Sequence, residues 1–157
     1  MAGRIDARLA ELGIDIPVPP IPVASYLPYV VTGNLVVVAG QVTLEDGKVK
    51  YVGRLGETIS IEDGEAATRL CALNVLSQLK AACDGDLDRV TKVVRLNAFF
   101  NATPDFTDHS RLFNVASDLM AEIFGESGRH TRVNVGVSSL PLNVPMELDG
   151  IFEIAPA

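Results

Sequence analysis

Two residues near the C-terminal end of the chain are of the types that handle a small carboxylate and a proton: Arg132 and Glu147. An arginine presents its N–H donors in a rigid planar fork that matches the two oxygens of a carboxylate. A glutamate set among apolar neighbours, here Pro145, Met146 and Leu148, is the kind whose pKa rises and which can act as a general base or orient a water. Asp149 has the same chemistry and nothing to set it apart. On spacing alone, the commoner outcome for Arg132 is a cross-strand ion pair with Glu147 or Asp149, and the commoner fate of Glu147 is a solvated strand position.

The segment that carries these residues, Gly128 to Ile154, alternates apolar and polar side chains and is interrupted at Leu140-Pro141. It reads as two strands of a hairpin joined by a Leu-Pro turn. The period of two sends Arg132, Asn134 and Gly136 to one face and Val133, Val135 and Val137 to the other, and separates Met146 and Leu148 from Glu147 and Asp149. The hairpin reading gives one apolar face and one face with an arginine and two carboxylates.

Other candidates are weaker in isolation. Gly40 ends the apolar run Val36-Val37-Val38-Ala39, where a glycine permits either a bulge or close approach of a ligand. Tyr29 could cover a small ligand or pack in the core with its hydroxyl satisfied. His130 has no carboxylate at a fixed local spacing to orient it and reads as structural. No Walker loop, GxGxxG, GxSxG or Cys-His nucleophile pattern occurs. The two histidines, His109 and His130, and the two cysteines, Cys71 and Cys83, lack metal-ligand spacing, so no metal site is expected. The cysteines fall in one expected helix, about 18 Å apart, too far for a disulfide.

The elements that must position these residues follow from periodicity and stop signals. Ile5 to Leu12 carries a helical stripe of Ile5, Leu9 and Leu12 closed by Gly13, and Pro17, Pro19, Pro20 and Pro22 make an extended arm after it. Tyr29 to Val31, a Gly33-Asn34 turn and Leu35 to Ala39 form a hairpin whose second strand is expected to be buried on much of both faces. Asp46-Gly47 marks a turn before a short strand, Lys48 to Val52. Ile61 to Cys83 is a long helix capped by Ser60 with Asp63 three residues on; its stripe is Ala72, Val75, Leu79 and Ala82, and Gly85 stops it. Val90 to Phe100 is a strand ended by Pro104. Asp108 to Phe124 is a second long helix, striped by Leu112, Val115, Leu119 and Ile123 and stopped by Gly125. The order predicts an α+β fold in which two helices cover one face of a mixed sheet. The other face, rich in Val and Leu, is expected to meet another subunit.

Length and composition bound the rest. The 157 residues, 48% hydrophobic, suit a single domain over 1–157, with the helix and proline-rich arm occupying 1–24. A net charge of −7 argues against sequence-independent binding of nucleic acid. No apolar stretch approaches a membrane span and the N-terminus lacks a signal-peptide core, so a soluble, cytoplasmic protein is expected.

Several of these residues together resemble the RidA family, also called YjgF or L-PSP, over nearly the whole chain. Arg132, Leu140-Pro141 and Glu147 keep the spacing of the family's closing signature. Ala39-Gly40-Gln41 is similar to its Ser-Gly-Gln, Pro28-Tyr29 to its Gly-Pro-Tyr, and Phe113-Asn114 to the Val-Asn pair of its second helix. The proline arm, Leu87-Asp88-Arg89-Val90 and Gly128-Arg129-His130 resemble a longer, mostly uncharacterised subgroup. The resemblance implies a chorismate-mutase-like fold and a homotrimer around a central barrel, with ligand clefts between subunits. It also implies cofactor-independent hydrolysis of enamines and imines of the 2-aminoacrylate type to 2-oxo acids and ammonia. On it, Arg132 would hold the substrate carboxylate, Glu147 would orient the attacking water, Gly40 and Asn134 would offer backbone groups, Tyr29 would cover the ligand, and Asn114 would join the substrate-binding set. Ala39 replaces the family's serine, and Asn134 stands where Cys or Ala is usual, so a different or larger substrate is compatible. The alternatives are a non-catalytic trimer binding small carboxylates or a protein partner, and the endoribonuclease or translation inhibitor of the older family label, which the acidic composition disfavours.

Overall fold

The computed structural model describes residues 3–22 and 24–156; the parts of the expected N-terminal helix and arm that fall on Met1, Ala2 and Val23 lie outside them. Helix α1 spans Arg4–Leu12 and buries Ile5 and Leu9, and Gly13 ends it at φ 65°, the left-handed conformation that a C-cap glycine takes without steric cost. Its N-terminus is held from a distance. The Asp88 carboxylate accepts from the backbone N–H groups of Arg4 and Ile5 at 2.7 Å each, satisfying two donors that the helix itself leaves free. The arm that follows is fastened to α2 by the Gln78 amide, which donates to the Pro20 carbonyl at 2.7 Å.

Strands β1 (Tyr29–Thr32) and β2 (Leu35–Gln41) form the first hairpin, and β3 (Leu44–Glu45) and β4 (Lys48–Val49) a separate small one around Asp46-Gly47. Both turn residues there have positive φ, 51° and 74°, as hairpin turns that match strand twist require. The second strand ends at Val49 rather than Val52 because Tyr51 itself turns to φ 57°. Helix α2 (Ile61–Ala82) starts where Ser60 Oγ accepts from the Asp63 N–H at 3.1 Å, and Ala72, Val75, Leu79 and Ala82 are buried. Strand β5 (Val90–Asn101), helix α3 (His109–Phe124), β6 (Thr131–Val137) and β7 (Met146–Ile154) complete the chain. On α3 the core face is Leu112, Phe113, Ala116, Leu119, Met120 and Ile123; Val115 is only half-buried.

The main sheet runs β1-β2-β7-β5-β6, antiparallel throughout except for the parallel pair β5 and β6, with α2 and α3 on one face. Val36, Val38, Leu96, Phe100, Leu148 and Phe152 point to the helices and are buried. The expected burial of β2 on both faces is corrected: Val37, between Val36 and Val38, is 41% exposed on the open face. Val30, Val133 and Val135 share that face at 43–47% exposure, so it is apolar and uncovered within one chain. No helix among the described residues is long and apolar enough to cross a membrane.

The expected hairpin of the closing segment does not form. β6 and β7 lie on opposite sides of β5, β6 parallel to it and β7 antiparallel. Leu-Pro is not a residue pair that closes a two-residue hairpin turn. Residues 138–145 instead carry the chain past the end of β5, through left-handed Leu142 and Asn143 at φ 59° and 54°. Asn101, at the end of β5, pins that passage: its side-chain amide lies within 3.2–3.3 Å of Asn143 Oδ1 and of the Val144 and Gly53 carbonyls.

Candidate active site

Glu147 lies on the open face, opposite Phe99 of β5. Its other neighbour, β2, is irregular at the same level: Val38 pairs with Gly150 and Gln41 with Leu148, so Ala39 and Gly40 together oppose Asp149 in a bulge. The bulge brings the Gly40 backbone against the carboxylate. A Cβ on Gly40 would overlap a Glu147 carboxylate oxygen and sit 3.1 Å from Cδ, although the Gly40 backbone is not left-handed, so the glycine is there for space. Among the described residues, nothing hydrogen-bonds or ion-pairs the Glu147 carboxylate within 4.0 Å. Burial first, and the nearby Asp149 second, raise its pKa above the ordinary glutamate value. Asp149 is raised by burial as well, partly offset by Asn97, whose amide donates to it at 2.6 Å, and by Arg95. A carboxylate that is half-buried, unpaired and raised is equipped to take a proton from water.

Arg132 lies on the other face. It opposes Leu96, which is buried under the helices, so its side chain turns toward α3. Its guanidinium carbon stands 4.7 Å from the centre of the Phe113 ring. Nη1 donates to Ser117 Oγ at 3.0 Å and Nη2 to the Ser110 carbonyl at 3.4 Å. Among the described residues, no carboxylate comes within 4.0 Å of it. The face expected to carry Arg132 with Glu147 and Asp149 is therefore corrected. The parity of the β5 register puts the arginine on one side and both carboxylates on the other, and a cross-strand ion pair within the chain is excluded.

The remaining sequence-chosen residues divide between these two centres. Asn134 is on the Arg132 side, its amide donating to Ser110 Oγ at 3.4 Å. Asn114 is exposed on α3, in the helical row of Ser110 and Ser117, both of which touch Arg132. Gly40 belongs to the Glu147 side. Tyr29 packs half-buried against the core. The tyrosine beside Gly40 is Tyr26, which lines a hollow of about 20 Å³ with Pro20, Pro22, Pro28 and Gln41, room for one water but not for a substrate.

His130, which reads from the sequence as structural, lies on the Arg132 side. The ring fills a half-buried place beside α3, with Nε2 2.9 Å from Ser117 Oγ and Nδ1 2.7 Å from the Gly128 carbonyl oxygen. Burial, with Arg132 and Lys92 nearby, lowers its pKa against the opposing pull of the Gly128 carbonyl. Cys71 and Cys83 are buried free thiols, and no group of three metal-ligating side chains exists among the described residues.

Residues 6–152 match the family described as "YjgF/chorismate_mutase-like, putative endoribonuclease". The chain is 44% identical to Protein TCP17 of Trypanosoma cruzi, over 98% of this chain and 96% of that one. It is 28% identical to a 2-iminobutanoate/2-iminopropanoate deaminase of Dermatophagoides farinae, over 90% and 94%. The crystal structure of Atu1372 from Agrobacterium tumefaciens superposes with a TM-score of 0.88 at 42% identity, covering 96% of this chain and 92% of that one.

Proposed function

Since the chain belongs to the YjgF/chorismate mutase-like family, we propose that it hydrolyses 2-imino acids to 2-oxo acids and ammonia, at a site completed between copies of the chain. The observation that carries this reading is that Arg132 and Glu147, the two groups the reaction needs, are both free of ion-pair partners among the described residues and face opposite sides of the sheet. A surface ion pair would have used them up. Arg132 on edge strand β6 of one copy would hold the substrate carboxylate in a forked pair of hydrogen bonds. Glu147 of another copy would accept a proton from water as the oxygen attacks the imine carbon. That proton passes to nitrogen to give a carbinolamine; as its carbon–nitrogen bond breaks, the hydroxyl proton is carried to the departing nitrogen by the same carboxylate, and 2-oxo acid and ammonia leave. An imine beside a carboxylate already hydrolyses in water, so positioning and one base suffice, with no cofactor.

The apolar open face supports the assembly this requires: four half-exposed valines on one sheet face are the kind of surface that self-association covers. As the family resemblance implies, the assembly would be a homotrimer with sheets around a shared barrel. Tyr29, half-buried at the start of β1, would cover the ligand, as the family resemblance implies. A cytoplasmic setting fits such an activity, since reactive imino acids arise as intermediates of amino-acid chemistry. The relationship to the mite deaminase agrees with this substrate class. The test generates imino acids in situ with an amino-acid oxidase and follows ammonia release. Faster release with the protein, abolished in Arg132→Ala, is expected; equal rates with and without protein overturn the proposal, and 2-oxo acid binding without turnover would indicate a carboxylate-binding protein instead.

A further inference from the structure

We propose that Ser117 and His130 are positioning residues for the Arg132 guanidinium, joined to it in a hydrogen-bond chain of fixed direction that presents its free donors to the substrate carboxylate. This rests on the reading of Arg132 as the carboxylate anchor. The direction of the chain follows from what each group can do. The Gly128 carbonyl only accepts, so the neutral His130 ring must donate to it from Nδ1. Nε2 is then an acceptor, and the Ser117 hydroxyl must donate to it. With its hydrogen committed there, Ser117 Oγ turns its lone pairs to Arg132, which only donates. The other tautomer would set a nitrogen lone pair against the carbonyl oxygen at 2.7 Å.

The consequence is a guanidinium held on three sides. The Phe113 ring lies against one face, Ser117 takes one hydrogen of Nη1, and the Ser110 carbonyl takes one of Nη2. The Nε hydrogen and one hydrogen on each terminal nitrogen have no partner among the described residues, enough for a forked pair to a carboxylate. A rotating hydroxyl would let the fork swing; one locked by an imidazole does not. Burial keeps His130 neutral near neutral pH. The charged groups that bear on it are Arg132 of β6 and Lys92 of β5, both cations, while α3 and the turn before β6 meet it with the Ser117 hydroxyl and the Gly128 carbonyl. In acid the ring gains a proton, Nε2 becomes a donor, and two cations compete for one hydroxyl oxygen.

The experiment measures KM and kcat for imine hydrolysis, with binding of 2-oxobutyrate by calorimetry, in the full-length protein. Ser117→Ala is expected to raise KM and the 2-oxobutyrate Kd about tenfold, the worth of one charge-assisted hydrogen bond, with kcat changed less than about twofold. Ser117→Thr, which keeps the hydroxyl, is expected to restore both. The wild-type KM should rise as pH falls through the His130 titration, whereas His130→Gln, with an oxygen acceptor and no titration, should not follow it. A KM in Ser117→Ala within twofold of wild type, while Arg132→Ala loses binding, overturns the positioning role alone. A wild type that neither hydrolyses imines nor binds 2-oxobutyrate overturns the anchor reading and this one with it.

Discussion

Replacing Gly40 with alanine separates folding from chemistry at this site. The added Cβ would lie 3.1 Å from Glu147 Cδ and 3.3 Å from Cγ, besides overlapping a carboxylate oxygen. Carbon atoms in contact prefer about 3.5–4.0 Å, so the carboxyl carbon must retreat by roughly 0.5 Å and the oxygen by about 1 Å. What has to move is the end of one side chain, and the Gly40 backbone is not in the left-handed region, so alanine fits there without strain. Folding should be unharmed; Gly-to-Ala at a compatible position stabilises by about 0.4–1 kcal/mol through the unfolded chain. Catalysis should not tolerate it, because a displacement near 1 Å of a catalytic group costs on the order of 100-fold. The assay pairs kcat for imine hydrolysis with a thermal melt, in Gly40→Ala alone and in a Glu147→Ala background. The expected pattern is a melting temperature at or above that of the parent, kcat down by about two orders of magnitude, and no additional loss from Gly40→Ala once Glu147 is gone. Retention of kcat within about threefold, or losses that add in the double variant, would refute the idea that Gly40 exists to make room for this carboxylate.

Two other outcomes follow. Because burial and Asp149 raise the Glu147 pKa, the folded protein holds more protons than the unfolded chain between the ordinary value of 4.5 and the raised one, and stability falls as pH rises through that window. Glu147→Gln should therefore melt higher than wild type at pH 7 while losing activity, with the gain vanishing below about pH 4; no gain at pH 7 would count against the raised carboxyl. Val135→Glu places a charge on the apolar open face at a position 44% exposed in the single chain, and light scattering should report a smaller species with the fold kept by circular dichroism; an unchanged mass would show that this face is not the one that associates.

The helices were legible because their signals are local. Ser60 with Asp63, Gly13, and the α2 stripe through Val75 and Leu79 each act within one or two turns, and all stand where periodicity put them. The closing segment was legible only as two strands. Alternation in β6 and β7 fixes which residues share a side along each strand and is silent on which strand lies beside which. The partner of both, β5, precedes β6 by a whole helix, and its register decided that Arg132 turns toward α3 while Glu147 turns away. Gly40 was readable as a bulge at a strand end, but its carboxylate neighbour was not, being across the sheet. Ser117 and His130 meet from different elements, a helix and the turn that follows it, so no sequence spacing announces them. Tyr29 and Tyr26 differ by three residues, and only the path of the proline arm tells which one stands beside Gly40.

The opposite facing of Arg132 and Glu147 has a genetic consequence. If each site takes its arginine from one copy and its glutamate from the next, two alleles that are each dead need not be dead together. Arg132→Ala and Glu147→Gln chains, unfolded and refolded as an equal mixture, would regenerate intact sites wherever a copy with its arginine abuts a copy with its glutamate, roughly a quarter of all sites for random cyclic assembly. Each variant refolded by itself would regenerate none. A site drawn wholly from one chain cannot be repaired in this way, so activity reappearing in the mixture is a signature of shared ownership, and it would let two defective copies of the gene in one cell rescue one another.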